Sequence, residues 1–222
     1  GTVCDFMVVQ AITKPEEKKH SSFSMIIVDA AAKGITRTKI KGKMGIRASD
    51  TAEIAFEDVR VPQANLLGKE GRGFYQLMHF FDTTRAMIAG QALGLSMACL
   101  EASVKYCKER TAFGAPLGSY QLTQKKLAEM AIQIEALRTL TYRAAWTFDI
   151  GKPDYTLSAM AKFLGGQTAV FCANNAVELH GGYGYIDEYA VQKYYRDAKI
   201  LELYEGTKEA EILTIGRVLQ SK

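Results

Sequence analysis

Residues 119–148 read SYQLTQKKLAEMAIQIEALRTLTYRAAWTF, and this stretch decides the fold. Its main apolar positions recur every three or four residues, so they share one face of a predicted α-helix. Leu127, Met130, Ile134 and Leu137 occupy these positions, and Thr141 continues the same face. Ser119, just before the pattern, is a candidate N-cap. A long helix with one apolar face needs neighbours to cover that face, which predicts a helical bundle.

The rest of the chain after residue 66 supplies the neighbouring helices. Helical patterns extend over residues 73–107, 153–180, 190–203 and 207–219. We expect a break near Asp82 in the first of them, and Pro153 opens the second. The predicted buried stripe of that second helix consists of Leu157, Met160, Leu164, Thr168 and Phe171. Long helices joined by short loops favour a four-helix bundle.

The first 66 residues are β-like instead. Runs of β-branched and alternating apolar residues predict strands at 3–12, 23–28, 34–40 and 53–61. Four strands at this spacing are typical of part of an antiparallel sheet or barrel. We therefore predict an α+β, mainly α fold. It comprises a partial antiparallel β-barrel domain over 1–66 and a C-terminal four-helix bundle domain over 67–222.

The composition excludes several classes of protein. Of 222 residues, 48% are hydrophobic and 23% are charged, which excludes disordered, collagen-like and coiled-coil chains. The net charge of +4 is spread along the chain, so nucleic-acid binding is not predicted, and neither is a membrane span or a metal site. Cys4, Cys99, Cys107 and Cys172 form no C-x-x-C pair, which favours free thiols in a reducing compartment.

Two candidate functional side chains stand where helices end. Glu205, in LYEGT at 203–207, lies on a glycine-flanked turn where its carboxylate can approach a ligand, although a surface glutamate is the commoner outcome. Arg110 ends the first helix, where a cation complements the helix dipole. Beside Phe113, its guanidinium equally suits a phosphate next to a stacked ring.

Two other features have a structural interpretation, and the first of them also has a functional one. The glycine-rich turn HGGYGY at 180–185 is either a helix C-cap or a place where backbone amides contact a ligand. Asp82 and Arg85 are one helical turn apart, so an ion pair within the helix is expected.

Short motifs spread along the chain carry a resemblance to a known family. They are MGIRASDT at 44–51 with Phe56 and DVRVP at 58–62, FDTTR at 81–85, ERTAFG at 109–114, YQ at 120–121, LHGGYGY at 179–185, YRDA at 195–198 and YEGT at 204–207. In this order and spacing they resemble the flavin-dependent acyl-CoA dehydrogenase family. The resemblance implies a middle β-barrel domain and a C-terminal helical domain. It also implies an N-terminal helical domain and further barrel strands before Gly1.

The resemblance implies a reaction as well. Glu205 matches the catalytic base, which removes the α-proton of an acyl-CoA thioester while the β-hydride moves to N5 of FAD, leaving a trans-2-enoyl thioester. The backbone N–H at Glu205 and a flavin hydroxyl would hydrogen-bond the thioester carbonyl and so acidify that proton. Some relatives carry the base just before the arginine of the FDTTR motif. Here that position is Thr84, which favours Glu205.

Other site residues follow from the same resemblance. The cofactor-binding positions are Arg110, Phe113, Gln121, Glu178, Gly181, Gly182, Thr207 and Glu209, of which the first three typically hold the FAD of a neighbouring subunit. The substrate-binding positions are Asp82, Arg85, Tyr204 and Gly206. Glu178 and Glu209 stand where the family often has Gln. A carboxylate near a pyrophosphate is unfavourable unless it is protonated or paired, so these two positions carry the least weight.

We expect from this resemblance an FAD-dependent oxidoreductase of fatty acid β-oxidation. It would be a homotetramer or homodimer that passes electrons to an electron-transfer flavoprotein, in the cytoplasm of a prokaryote or the mitochondrial matrix. Two alternatives stay open at this point. One is an acyl-CoA oxidase-type flavoenzyme, and the other is a non-catalytic assembly subunit of the same fold.

Overall fold

The computed structural model describes residues 1–220. Over these residues, the strands are β1 (Phe6–Ile12), β2 (Phe23–Asp29), β3 (Ile35–Lys39), β4 (Ala52–Phe56), β5 (Leu66–Leu67), β6 (Thr111–Ala112) and β7 (Ala115–Pro116). The α-helices are α1 (Gly73–Glu109), α2 (Gln121–Asp149), α3 (Tyr155–His180), α4 (Val191–Ala198) and α5 (Lys208–Gln220). The predicted α+β, mainly α class is confirmed.

The chain divides into two compact units, one over Gly1–Phe80 and one that begins at Phe81. In the first unit, β1 pairs antiparallel with β2 in a register that places Phe6 opposite Asp29. The short strand β5 pairs with the other edge of β2, while β3 and β4 form a separate antiparallel pair. The antiparallel pairing predicted for the N-terminal strands is confirmed.

The second unit is a bundle of helices around one main core. Its core side chains come from α1, α2, α3, α4 and the 3-10 helix Lys199–Glu202. Fully buried members include Ala92, Cys99, Met130, Leu137, Ala169, Cys172, Ala198 and Leu201. Small side chains are frequent in this core, which allows the helix backbones to approach one another closely.

Helix α1 continues from Gly73 to Glu109 without the break predicted near Asp82. The Asp82 carboxylate accepts a hydrogen bond from Nη1 of Arg85, one turn later, at 2.7 Å. The expected ion pair is confirmed, and the expected break is wrong. A carboxylate whose partner lies on the same helix does not need the helix to open.

Helix α2 buries the face that its spacing predicts. Met130, Ile134, Leu137 and Thr141 are all buried. The predicted N-cap is wrong, because α2 begins at Gln121 and the Ser119 hydroxyl donates instead to the carbonyl of Pro116, at 2.7 Å. A short 3-10 turn occupies residues 117–119, so Tyr120 rather than Ser119 stands at the N-cap position of α2.

Helix α3 departs most from its predicted pattern. It begins at Tyr155, capped by the Asp154 carboxylate on the amide of Leu157, and Phe171 of the predicted stripe is 36% exposed. The buried positions are mostly small, and they include Ala159, Ala161, Gly165, Gly166, Ala169, Cys172, Ala173 and Ala176. Because α3 contacts α2, α4 and α5, it is buried on several sides and no single stripe describes it.

Two further sequence predictions concern membranes and thiols. By length and composition alone α1 could cross a membrane, since an 18-residue window reaches a mean hydropathy of 1.3, with 33% of it buried. A core helix of a water-soluble bundle meets the same criterion, so the absence of a span stays a prediction. The prediction of free thiols is confirmed, and Cys99, Cys107 and Cys172 are buried.

Candidate active site

Glu205 lies on a strained turn between the 3-10 helix Lys199–Glu202 and α5. Its φ angle of 57° and the φ of 106° at Gly206 both fall in the left-handed region. A non-glycine residue in that region costs of order 1–3 kcal/mol and persists where its surroundings impose it. The Glu205 carboxylate accepts a hydrogen bond from the Thr84 hydroxyl on α1, at 2.5 Å. The turn therefore presents this carboxylate in one defined place.

Arg85 lies beside the turn, between two carboxylates. Its guanidinium contacts Asp82 on its own helix and Glu211 on α5, where Nε is 3.0 Å from Oε1. Both Arg85 and Glu211 are buried, and Glu211 is fully so. Burial raises the pKa of the Glu211 carboxyl, and the nearby cations Arg85 and Lys162 oppose that rise.

Lys162 of α3 supplies a second buried cation. Its ammonium group donates a hydrogen bond to the carbonyl oxygen of Gly206, and the residue is only 1% exposed. Burial lowers the pKa of Lys162, while the carboxylates of Glu211, Glu205 and Glu202 oppose that change. The backbone that follows Glu205 is thus held by the Lys162 side chain.

Tyr204 precedes Glu205, and its hydroxyl donates a hydrogen bond to the side-chain carbonyl of Gln91 on α1. Burial raises the pKa of this phenol, the hydrogen bond to Gln91 opposes the rise, and the neighbouring Glu205 charge adds to it. A neutral tyrosine fixed to α1 keeps the turn next to the helix that carries Thr84.

The structure brings together Glu205 and the predicted substrate-binding residues Asp82, Arg85, Tyr204 and Gly206. Sequence reasoning missed Lys162 and Glu211, although both lie in this cluster. The available signal was weak: a lysine among small and apolar residues of α3, and a glutamate six positions after Glu205. Neither residue can be recognised as buried before the packing of the helices is known.

A separate cleft of about 500 Å³ lies at the C-terminal end of α3. Its lining includes Arg110, Glu178, Gly181, Gly182 and Tyr183. The guanidinium of Arg110 is 5.7 Å from the centre of the Tyr183 ring. Gly181 has a φ of 60°, and a Cβ on either glycine would meet nothing within 4 Å. The backbone of the glycine-rich turn is therefore accessible to a ligand.

Glu178 lines this cleft as a paired carboxylate. It accepts hydrogen bonds from Lys126 on α2 and, at 2.9 Å, from the amide of Asn174. These hydrogen bonds lower the pKa of its carboxyl. Glu178 stands where the family often has Gln, and a carboxylate there would repel a bound anion. Its pairing with Lys126 reduces that electrostatic cost.

A second cleft, of about 560 Å³, shares Leu117 with the first and includes Phe113 and Gln121. Phe113 is 97% exposed and has a φ of 51°, which is strained for a bulky residue. The Tyr120 hydroxyl fixes this loop by donating to the carbonyl of Ala112 at 2.7 Å. An aromatic ring held in water at a strained position is typical of a ligand or partner contact.

The remaining predicted cofactor residues lie elsewhere. Thr207 and Glu209 lie at the start of α5, and both are exposed. In the part of the chain that the structure describes, neither residue lines either cleft. The Thr207 hydroxyl accepts a hydrogen bond from the amide of Ala210 at 3.4 Å, which caps the helix.

The groups around the two clefts are of the kinds that bind a dinucleotide such as FAD. Arg110 offers a guanidinium fork for phosphate, the glycine-rich turn offers open backbone, and Phe113 offers a ring for stacking. The Glu178 carboxylate also lines the first cleft, where it is paired with Lys126. Within residues 1–220, no group of three or more His, Cys, Asp or Glu side chains is arranged to hold a metal ion.

Fold and site together define a two-part protein, a small antiparallel β-unit followed by a helical bundle with a glutamate on a left-handed turn. Residues 1–59 match the family described as acyl-CoA dehydrogenase, middle domain, and residues 71–220 match acyl-CoA dehydrogenase, C-terminal domain. The chain belongs to the acyl-CoA dehydrogenase family.

Individual relatives agree with this assignment. The chain is 45% identical to the short-chain specific acyl-CoA dehydrogenase of Mus musculus mitochondria, over 92% of this chain and 50% of the relative. It matches the structure of butyryl-CoA dehydrogenase from Megasphaera elsdenii with a TM-score of 0.95 and 41% identity, over 99% and 57% of the two chains.

A chain from a structure described as the electron transferring flavoprotein of Acidaminococcus fermentans matches with a TM-score of 0.96. The identity is 41%, over all of this chain and 58% of that one. The present chain spans about half the length of the curated relatives that it matches.

Proposed function

We propose that the protein containing this chain is an FAD-dependent acyl-CoA dehydrogenase with Glu205 as its catalytic base. The observation that carries the proposal is the left-handed turn that holds the Glu205 carboxylate against Thr84. A carboxylate held in one defined place can accept a proton from a substrate bound against it without first reorganising. The family to which the chain belongs supports the reaction class.

Each residue of the cluster has a part in this reaction. The Glu205 carboxylate accepts the proton from the α-carbon of the acyl thioester as the α,β double bond forms. The Glu205 N–H donates to the thioester carbonyl and stabilises the negative charge that develops there. Thr84 orients the carboxylate through its hydroxyl. Asp82, Arg85, Tyr204 and Gly206 form the surrounding substrate wall.

FAD, when bound, supplies the acceptor for the hydride that leaves the β-carbon. In this proposal Arg110 binds its pyrophosphate, Phe113 and Gln121 contact the adenosine, and Gly181 and Gly182 offer their backbone. Glu178, Thr207 and Glu209 complete the proposed cofactor-binding set, with Glu178 held by Lys126 rather than facing the anion unpaired.

The family and its relatives support proposals for the partners, the assembly and the compartment. We propose an electron-transfer flavoprotein as the electron acceptor and a homotetramer or homodimer as the assembly. Cytoplasm or mitochondrial matrix is the proposed compartment, because the relatives are bacterial and mitochondrial. Short acyl-CoAs are the first substrates to test, since two relatives are named for short-chain and butyryl substrates. Residues 1–66 and 67–222 are the proposed domains.

The test measures proton removal and oxidation separately. The holoprotein is mixed anaerobically with butyryl-CoA in D₂O, and flavin bleaching and α-deuterium incorporation are both followed. We expect Glu205→Gln to lower both rates by about 10²- to 10⁴-fold while FAD stays bound. Glu129→Gln, at a half-exposed glutamate of α2, is the matched control.

Retained exchange and turnover in Glu205→Gln would reject the base assignment. The absence of any bleaching of the unmodified holoprotein with both a short and a medium acyl-CoA would reject the dehydrogenase and favour the assembly subunit. Rapid return of the oxidised spectrum on admitting air would instead identify an oxidase.

A further inference from the structure

The left-handed turn at Glu205 needs something to hold it, and the Thr84 hydrogen bond restrains only the side chain. The backbone restraint lies at Gly206. Its carbonyl accepts the hydrogen bond from Lys162, and a Cβ on Gly206 would lie 2.1 Å from Oε1 of Glu211. Gly206 is therefore enclosed by a cation at its carbonyl and a carboxylate at its α-carbon.

Lys162 reaches this carbonyl because α3 packs closely against the segment that leads into the turn. One turn after Lys162, a Cβ on Gly166 would lie 2.9 Å from the carbonyl of Leu201. Residues four apart share a helix face, so the close approach at Gly166 brings the lysine to the same surface. A lysine this deeply buried is costly unless its charge is compensated.

The compensation comes from the carboxylates around the turn. Glu211, Glu205 and Glu202 face Lys162, and Arg85 is the opposing cation. Within the described residues, the oxygens of Glu211 accept no hydrogen bond of regular geometry, so its charge is balanced through the Arg85 ion pair and Lys162. These carboxylates offset part of the cost of burying Lys162, whose side chain donates to the Gly206 carbonyl.

We propose that Lys162 is a positioning residue for Glu205. By holding the Gly206 carbonyl it fixes the peptide plane that follows Glu205, and with it the left-handed backbone that directs the carboxylate and the N–H. The inference rests on the proposed function of Glu205 and deepens it. Lys162 itself acts through the turn and touches no reacting atom.

The experiment uses Lys162→Met in the holoprotein, which keeps most of the aliphatic side chain and removes the donor. We expect kcat per bound FAD to fall between about tenfold and a hundredfold, because small displacements of a catalytic group are costly. The KM for butyryl-CoA should change less than about threefold. Lys125→Met, an exposed lysine on α2, is the control and should retain its kcat.

A second comparison separates positioning from general stability. If Lys162 acts through Glu205, then adding Lys162→Met to Glu205→Gln should not lower the residual rate further. A loss of thermal stability in Lys162→Met with kcat per FAD unchanged would overturn the proposal, as would fully additive losses in the double variant. If Lys162→Met does not fold, Lys162→Gln replaces it, being neutral and too short to reach the same carbonyl.

The two proposals fail differently. Full turnover in Glu205→Gln rejects the base, whatever Lys162 does. An inactive Glu205→Gln beside a fully active, folded Lys162 variant rejects only the positioning role.

Discussion

The turn that carries Glu205 and the clefts around Arg110 and Phe113 lie in the same unit but are built differently. The turn is enclosed by buried charges, with Lys162 on its backbone and Thr84 on its side chain. Most residues that line the clefts are at least partly exposed, and Phe113 is 97% exposed. The chain itself therefore orders the turn, whereas the clefts leave their contacts to a ligand or a partner.

The difference has a physical reason. A proton-transfer group must be in place before substrate arrives, because reorganising it during the reaction raises the barrier. A cofactor site gains its order when the cofactor binds, and exposed side chains then exchange water for ligand contacts. Substitutions in the two regions should therefore change different measured quantities.

After removal of the Glu205 carboxylate itself, the largest expected effect is that of Gly206→Ala. An added Cβ would lie 2.1 Å from Glu211, and alanine disfavours the φ of 106°. We expect kcat to fall about a hundredfold, with FAD affinity within about threefold of the unmodified protein. Steady-state kinetics and flavin titration check this. Gly90→Ala on α1, where a Cβ meets nothing within 4 Å, is the control. An equal kcat for Gly206→Ala and Gly90→Ala would contradict the difference between the ordered turn and the open clefts.

Arg110→Ala should have the opposite effect to Gly206→Ala, with weaker FAD binding and a nearly unchanged kcat. Removing a guanidinium that binds phosphate loses a charge-assisted hydrogen bond, so the Kd for FAD should rise about 10- to 100-fold. At saturating FAD, kcat should stay within about threefold, because the Glu205 turn is untouched. Titration of the apoprotein with FAD measures the affinity, and Lys108→Ala provides a matched exposed cation. An unchanged Kd would remove Arg110 from the cofactor site.

Phe113→Ala tests the same difference between the two regions, with a smaller expected change in FAD affinity. Loss of a stacking ring should raise the Kd for FAD by about 2- to 10-fold. Because the ring is exposed, the free energy of unfolding of the apoprotein should change by less than about 0.5 kcal/mol. Chemical denaturation measures this second quantity. A loss above 1 kcal/mol would mean that the ring is a structural residue of the chain.

The smallest effect concerns Glu178. Hydrogen bonds from Lys126 and Asn174 lower its pKa, so the folded state binds fewer protons than the unfolded state. The resulting stability is present above the unfolded pKa and is lost as pH falls through the folded pKa. Since its side chain is 49% exposed, we expect under 1 kcal/mol, discounted for screening.

The measurement for Glu178 is the difference in Tm between the unmodified protein and Glu178→Gln. The difference should be constant above about pH 5 and shrink below about pH 4. A difference that grows on acidification would contradict the pairing of Glu178 with Lys126.

The local sequence predicted where the helices lie better than it predicted what packs around them. The face of α2 follows from spacing alone, because a helix with one buried side shows it as a periodic stripe. The α3 stripe failed because neighbours on several sides bury small residues all round. The Ser119 cap failed because an intervening 3-10 turn delays the start of α2.

For the site, motifs in the sequence identified Glu205, Asp82 and Arg85, which the structure brings together. The roles assigned to them stay predictions, as do those of the cleft residues. Lys162 was missed because its partner lies 44 positions away, and no local pattern reports that distance in space.

By itself, the sequence determined the helical periodicity, the antiparallel strands and the family motifs that mark Glu205 and the glycine-rich turn. These are short-range properties, set by residue type and spacing. Only the tertiary structure decided that Lys162 and Glu211 are buried around Gly206. Whether a charge is buried depends on which helices pack together, and its cost is tolerable only where opposite charges meet it there.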